Sequence, residues 1–236
     1  MWIYKSIQRL AAMAGAHVEK LSKQPKTTVM GLTQQPVDLI IDVGANIGQF
    51  AREMRVKFPA AHIISFEPLP EPFAELDAWA GADGNATAVN VGLGESEGVL
   101  PFYLHVGHSA SSSLLPTHTE GVALFPQMGR SELTEVPVRR LDDALAALGR
   151  PIGASTLLKL DVQGYEERVL RGAKQTLRQV GALIVEVNVG PMFEGQAEFL
   201  ALCQLAYAAG LRYAGNYAQY PDKDGRVVFL DAMFVR

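Results

Sequence analysis

The stretch Asp38-Leu39-Ile40-Ile41-Asp42-Val43-Gly44-Ala45-Asn46-Ile47-Gly48 decides the fold. Its apolar run has no alternation and stops at a glycine, as a parallel strand covered on both faces does. A helix is expected from Gln49 to Phe58, stopped by Pro59. Between strand and helix, Gly44 and Gly48 put no side chain into the turn, so backbone can approach a ligand closely. The amides at the helix start suit a carboxylate.

Outward from this unit the rhythm repeats. His62-Ile63-Ile64-Ser65-Phe66 is a second strand ending in Glu67-Pro68, and prolines at 70 and 72 open the next helix. Ala86 to Val91 is a third strand, after which the alternation breaks into a Gly-, Ser- and His-rich stretch from Gly92 to Arg130. There Val99–Leu104 pairs with Leu133–Val138 as an added hairpin or edge element. The rhythm resumes with strand Thr156–Asp161, helix Tyr165–Val180, strand Ala182–Val187 and helix Gln196–Ala209. The last two strands, Leu211–Tyr217 and Arg226–Val235, are joined only by a short turn, so they run antiparallel. The expected fold is α/β: a Rossmann-like seven-stranded mixed sheet with a C-terminal antiparallel hairpin and helices on both faces.

A chain of 236 residues fits one domain of the larger sort. The expected division is an N-terminal amphipathic helix and linker over 1–36 and the α/β domain over 37–236, with 92–140 as an irregular insertion. The helix, Met1 to about Lys26, places Ile3, Ile7, Leu10, Ala14, Val18 and Leu21 at helical spacing with Lys5, Arg9 and Lys20 between them. It caps the domain or a second subunit of a homodimer, or rests on a membrane surface through Trp2 and Tyr4. It lacks the continuous apolar run of a signal peptide or a membrane span, so a cytoplasmic location and no transmembrane segment are expected. A net charge of −4 provides no broad basic field, so no nucleic acid partner is expected. Cys203, the one cysteine, sits in an apolar helical pattern and reads as core.

In an open α/β sheet, ligands sit at the carboxyl ends of the strands. Here those ends carry Asp42 and Gly44, Glu67, Asn90 and Gly92, Asp161, and Glu186 and Asn188. Glu67 falls where a carboxylate accepts both hydroxyls of a ribose. A dinucleotide dehydrogenase shares this logic, but its fingerprint is G-x-G-x-x-G, and Asn46 stands at the second glycine's place. Asp42, two residues before the first glycine, suits a cationic or hydroxylated ligand.

The segments IIDVGANIGQF (40–50), ISFEP (64–68), NVGLGESEG (90–98), SSSLL (111–115), VPVRRLDD (136–143), LLKLDVQGYEERVLRGA (157–173), IVEVN (184–188) and DAMFVR (231–236) follow one another in order. In these segments the chain resembles the FkbM-type methyltransferases, a class I, Rossmann-like family. The resemblance implies S-adenosylmethionine as methyl donor and O-methylation of a small hydroxylated, carbohydrate-containing acceptor. It further implies that Gly44, Asn46 and Gly48 contact the methionine part of the cofactor with Asp42 nearby. Glu67, beside Pro68, holds the ribose; Asn90, Val91 and Gly92 lie against adenine; and Ser112 and Ser113 close over the site. The chain departs from the family in carrying Gln163 where many members have Glu, and Gly92 where many have Ala.

Methyl transfer needs the acceptor oxygen held in line, with a base if the alcohol is weakly acidic. Asp161 is the first candidate base and Glu186 the second, and Asp161 also lies at the cofactor; each has a structural reading as a cap or a hydrogen-bonded carboxylate. Lys159, on the same strand face as Asp161, either neutralises one of these acids or meets the acceptor. His105, His108 and His118 admit a metal site, with a solvated loop as the default reading. Asp161 and Glu186 could instead hold Mg²⁺. Two other functions stay open here: a nicotinamide-cofactor oxidoreductase, and a cofactor-binding protein without catalysis.

Overall fold

The computed structural model describes residues 2–16, 18 and 29–236. In chain order the first half contains α1 (Trp2–Met13), β1 (Leu39–Val43), α2 (Gln49–Lys57), β2 (His62–Phe66), α3 (Pro70–Asp83), β3 (Ala86–Val89), β4 (Gly92–Leu93), β5 (Gly98–His105) and α4 (Thr119–Leu124). The second half contains β6 (Ser131–Arg139), α5 (Leu141–Leu148), β7 (Thr156–Leu160), α6 (Glu166–Arg171), α7 (Lys174–Gln179), β8 (Ala182–Asn188), α8 (Phe199–Ala208), β9 (Arg212–Pro221) and β10 (Val227–Val235).

The main sheet has seven strands in the order β3-β2-β1-β7-β8-β10-β9. The first five are parallel, and β10 runs antiparallel to both β8 and β9, which is the expected mixed sheet with its C-terminal hairpin. Every residue of β1, β2, β7 and β8 is buried, because strand side chains alternate between two covered faces. Leu39, Ile41 and Val43 pack with Leu145 of α5, Leu177 of α7 and Leu202 of α8 on one face. Ile40, with Ile63, Leu157 and Ile184, packs against Met54 of α2 on the other. Asp42, Lys159 and Glu186 continue the parity of this second face, and Asp42 is the register partner of Lys159.

Helix α1 ends at Met13 instead of continuing toward Lys26. Gly15 adopts φ +71°, and the chain turns back so that Tyr4 Oη and Gln8 Nε2 donate to the Val18 carbonyl at 3.3 and 3.0 Å. Much of the rest of the expected helix and the start of the linker, residues 17 and 19–28, lie outside the described residues. Val29 and Leu32, in the segment that reads as linker, are buried in the same core cluster as Met54 and Tyr217. Among the described residues no helix is long and apolar enough to cross a membrane.

The expected hairpin between Val99–Leu104 and Leu133–Val138 forms, with Val99 opposite Pro137 and Leu104 opposite Glu132. It belongs to a separate sheet, β4-β6-β5, and not to the edge of the main one. Helix α5 follows β6 directly and has no counterpart among the elements expected from the sequence.

The single helix expected over Tyr165–Val180 is two short ones, broken at Gly172 and Ala173. The cause lies elsewhere in the chain. Asp142 caps α7 from a distance: its carboxylate accepts from Gln175 N and Thr176 N, both at 2.9 Å, and from Thr176 Oγ1 at 2.8 Å. The Gly94 carbonyl packs so close to Gly172 that a Cβ there would sit 2.0 Å from its oxygen. Gly172→Ala is therefore expected to cost about 2 kcal/mol, lowering the thermal midpoint by about 4–8 °C. A melting curve unchanged by the substitution would show that the contact tolerates a methyl group.

Candidate active site

The chain leaves β1 toward β2 and β3 on one side and returns to β7 on the other. Loops leaving neighbouring strands in opposite directions open a crevice at their carboxyl ends. The loop after β1 holds Asn46 at φ +48°, a left-handed conformation that asparagine tolerates better than most residues. Its side chain reaches across the crevice, Nδ2 donating to Ser109 Oγ at 2.9 Å.

The glycines of this loop answer to the protein itself. A Cβ on Gly44 would stand 1.8 Å from the carbonyl oxygen of Asp161, so the β1 and β7 loops touch through bare backbone. Gly48 has φ +87° and faces Leu76 of α3. The amides are also committed: Gly44 N and Ala45 N donate to the Phe66 carbonyl, Gly48 N to Ala45 O, and Asn46 N to Glu67 Oε2 at 2.8 Å. The expectation that this turn offers bare N–H groups to a ligand carboxylate is thus corrected at these four positions.

Three cavities meet above this crevice. The first is lined by Gly44, Glu67, Pro68, Val91, Gly92 and Ser112, with Leu93, Phe102 and Leu114 as an apolar wall. The second lies on the α2 face, where Asp42, Phe50, Lys159 and Asp231 meet. The third lies beyond β7, between Phe125, Gln163, Glu186, Asn188 and Phe229. Asp161 lines the first two, Gln163 the first and third, and Ala110 all three.

Three residues implied by the resemblance stand away from these walls. Asn90 is exposed, and its amide braces the loop after β2 by donating to the carbonyls of Glu67 at 2.8 Å and Pro68 at 3.0 Å. Ser113 donates through Oγ to the Gln163 carbonyl at 2.7 Å, tying the insertion to the β7 loop. Gly48 sits behind the turn, while Ser112 faces the first cavity and accepts from His105 N at 2.9 Å.

The electrostatics centre on Lys159. Its ammonium is buried, 2.7 Å from Asp161 Oδ2 and over the Phe50 ring at 5.4 Å. Burial works against that charge, but the carboxylates of Asp161, Asp42 and Asp231 outweigh it and hold the lysine protonated. Asp161 is held ionised despite its desolvation, chiefly by Lys159 and then by hydrogen bonding. Gln163 Nε2 donates to Asp161 Oδ1 at 2.7 Å and to Glu186 Oε1 at 2.9 Å, bridging the two acids. Glu186 is pushed well above the usual carboxylate range by burial and by the charges of Asp161, Glu166 and Asp231, so it carries its proton. Burial also raises Asp42 to about 6, opposed by the charge of Lys159 and by the Ala51 backbone amide. Glu67 rises to about 7 by burial, against the pull of the Leu69 and Asn46 amides.

Lys159 therefore neutralises Asp161 and does not line the third cavity. The donor set does not suit Mg²⁺, because a dication at Asp161 would stand against the Lys159 ammonium on the same carboxylate and beside a Glu186 that holds its proton. The histidines diverge. His105 is buried between Ser111 Oγ and Thr117 Oγ1, both at 2.8 Å, His108 meets Ser111, and His118 Nδ1 accepts from Glu120 N to cap α4. Among the described residues no three metal-ligating side chains converge.

Gln163 was read only as a missing acid, yet it joins two cavities. A Glu there would set a third carboxylate against Asp161 and Glu186. Its φ of +55° was not readable from the sequence, although Gly164 beside it marked an unusual turn. Ala110, Phe125 and Phe229 carried no signal, since they reach the site only through tertiary placement.

Residues 42–213 match the model of the methyltransferase FkbM domain. The chain is 34% identical over 184 residues to a 31-O-demethyl-FK506 methyltransferase from Streptomyces tacrolimicus, covering 67% of this chain and 69% of that protein. It is 27% identical over 207 residues to a 2-O-methyltransferase, NoeI, from Sinorhizobium fredii, covering 84% and 83%. The crystal structure of an FkbM methyltransferase from Methylobacillus flagellatus superposes with a TM-score of 0.52 at 13% identity, over 85% of this chain and 44% of that one.

The buried acids give the fold an unusual pH response. A carboxyl whose pKa is higher folded than unfolded binds more protons in the native state, so stability falls as pH rises between the two values. Asp42 moves from 3.8 to about 6, and Glu67 and Glu166 from 4.5 to about 7. Asp161 and Asp83 are shifted down and weaken the fold only at pH below the ordinary aspartate value, while Lys159 is shifted up and acts only at high pH. Urea unfolding should show stability declining from pH 4.5 to 7. Glu166→Gln, which keeps an acceptor for Val162 N and Gly164 N, should flatten that decline; an identical slope in the variant would mean that Glu166 is ionised throughout.

Proposed function

Because the chain belongs to the FkbM methyltransferase family, we propose that it transfers the methyl group of S-adenosylmethionine to a hydroxyl of a small, carbohydrate-containing acceptor. The observation that carries this reading is the meeting of three cavities at Asp161 and Gln163, which sets a cofactor lobe and an acceptor lobe side by side. The family match and the O-methyl chemistry in the names of two relatives support it. Neither lends support to a nicotinamide oxidoreductase or to a protein that binds cofactor without turnover.

The residues present fit the cofactor. The first cavity offers an apolar slot for a flat base, with Glu67 at its edge to accept ribose hydroxyls. The buried Asp42 carboxylate complements a cationic group in the adjoining cavity. The cofactor, when bound, supplies a methyl group on a sulfonium leaving group.

Asp161 is the base. Because it stays ionised, it accepts a hydrogen bond from the acceptor hydroxyl and orients the oxygen lone pair. A carboxylate of low pKa suffices, since the hydroxyl becomes strongly acidic only as its oxygen acquires the methyl group. Glu186, protonated at rest, positions the acceptor by donating a hydrogen bond. Ala110 and the serines beside it exclude water from the crevice, and orientation provides most of the acceleration. In the same reading residues 37–236 are the catalytic domain, 1–36 an appended helix and linker that offers a dimer contact, and the protein acts in the cytoplasm.

Isothermal titration calorimetry should show binding of S-adenosylmethionine and S-adenosylhomocysteine but not NAD, with Glu67→Gln weakening it about tenfold or more. Binding of NAD alone would overturn the reading. Asp161→Asn should lower kcat by about 10² or more while S-adenosylhomocysteine affinity changes less than about threefold. Turnover that survives this substitution would remove Asp161 from the proton path.

A further inference from the structure

Asn188 is the last residue of β8, two positions after Glu186 and therefore on the same face of the strand. Asn188 is buried at 8% exposure, and among the described residues its Nδ2 has no hydrogen-bond partner. A buried amide nitrogen left unpaired costs about 1–3 kcal/mol unless something arrives to pair with it. Asn188 is one of the residues that line the third cavity.

The walls of that cavity are aromatic. Phe229 is the register partner of Asn188 across the β8–β10 ladder and meets Phe125 edge to face, ring centroids 6.2 Å apart. Behind it Tyr220 stacks at 4.3 Å, so the Phe229 ring is fixed in place. Around these rings stand Ser111, Gln127, Gln163 and Glu186. One apolar platform ringed by several hydrogen-bonding groups fits a pyranose, with its C–H face and its rim of hydroxyls, better than a phenol with one hydroxyl. A hydroxyl both donates and accepts, so it satisfies the Asn188 amide in either orientation of that amide.

Charge narrows the class further. Among the described residues no lysine or arginine lines the cavity, His108 being its one basic side chain, and the ammonium of Lys159 is already paired with Asp161. A sugar carboxylate or phosphate entering here would be desolvated against Phe125, Met128, Met192 and Phe229 with no lysine or arginine to pair with it.

We propose that this cavity is the acceptor subsite, that it takes a neutral pyranoside in preference to a uronic acid or a sugar phosphate, and that Asn188 reads one of the ring hydroxyls while Phe229 carries the ring. This rests on the methyl-transfer reading above, because Gln163 makes the subsite adjacent to the cofactor lobe.

The test uses the full chain saturated with S-adenosylhomocysteine and phenyl β-glycosides of glucose, galactose and mannose, each beside its uronide counterpart, followed by saturation-transfer NMR and titration. At least one neutral glycoside should bind, at least about tenfold more tightly than its uronide. Asn188→Ala should weaken that binding about five- to tenfold, the weight of one hydrogen bond, and Asn188→Gln should restore part of it. Phe229→Ala should abolish saturation of the ring protons, while both variants retain wild-type affinity for S-adenosylhomocysteine. Uronides that bind as well as the neutral sugars, or neutral binding indifferent to Asn188→Ala, would overturn the proposal. So would wild-type protein that binds S-adenosylhomocysteine but none of the neutral glycosides, and this outcome leaves the cofactor reading standing. Failure to bind S-adenosylhomocysteine would instead strike the methyl-transfer reading itself.

Discussion

A single buried ammonium organises the centre of this molecule. Lys159 lies in β7, the middle strand of the seven, where every residue is buried, and a charge there costs several kcal/mol unless it is matched. Asp42 stands beside it in register and Asp161 two residues on, and Asp231 adds its field from β10. The positive charge keeps Asp161 ionised. That ionised group in turn helps keep Glu186 protonated, with Gln163 hydrogen-bonded to both. The two acids therefore differ in protonation because they share one lysine and one amide unequally, and an acid–base division of labour follows from packing.

The sheet was legible because its signal is local. Continuous apolar runs ending in glycine or an acid mark parallel strands, and they located β1, β2, β7 and β8 to within a residue or two. The short turn at 221–225 required an antiparallel pair, which is present as β9 and β10. What was not legible depends on partners distant in sequence. The break at Gly172 follows from Gly94 and Asp142, and neither contact leaves a periodic trace. Helix α8 begins at Phe199 and not at Gln196, because the Gln196 side chain is occupied with Met192 N and Phe193 N.

The site divides in the same way. Asp42, Glu67, Asp161 and Glu186 are strand-end residues, and the rule about carboxyl ends of parallel strands picks them out without knowledge of the fold's details. The glycines were identified for an incomplete reason. Gly44 is demanded by the neighbouring Asp161 carbonyl whether or not a ligand is present. Asn90 and Ser113 hold loops in position, a role that a strand-end position alone does not distinguish from contact with a ligand.

The three cavities share Ala110 but otherwise differ in which parts of the chain wall them. The first takes most of its lining from short loops after central strands, where a backbone shift would disturb the sheet. The far lobe takes Phe125 from the insertion and Phe229 from the terminal hairpin, elements whose length and sequence can change with little effect on β1 or β7. On the proposed reading, one acceptor is exchanged for another by editing the periphery while the loops after β1 and β7 stay as they are. Diversification of such a scaffold should proceed by insertion and hairpin drift, leaving the lysine-centred heart of the sheet unaltered.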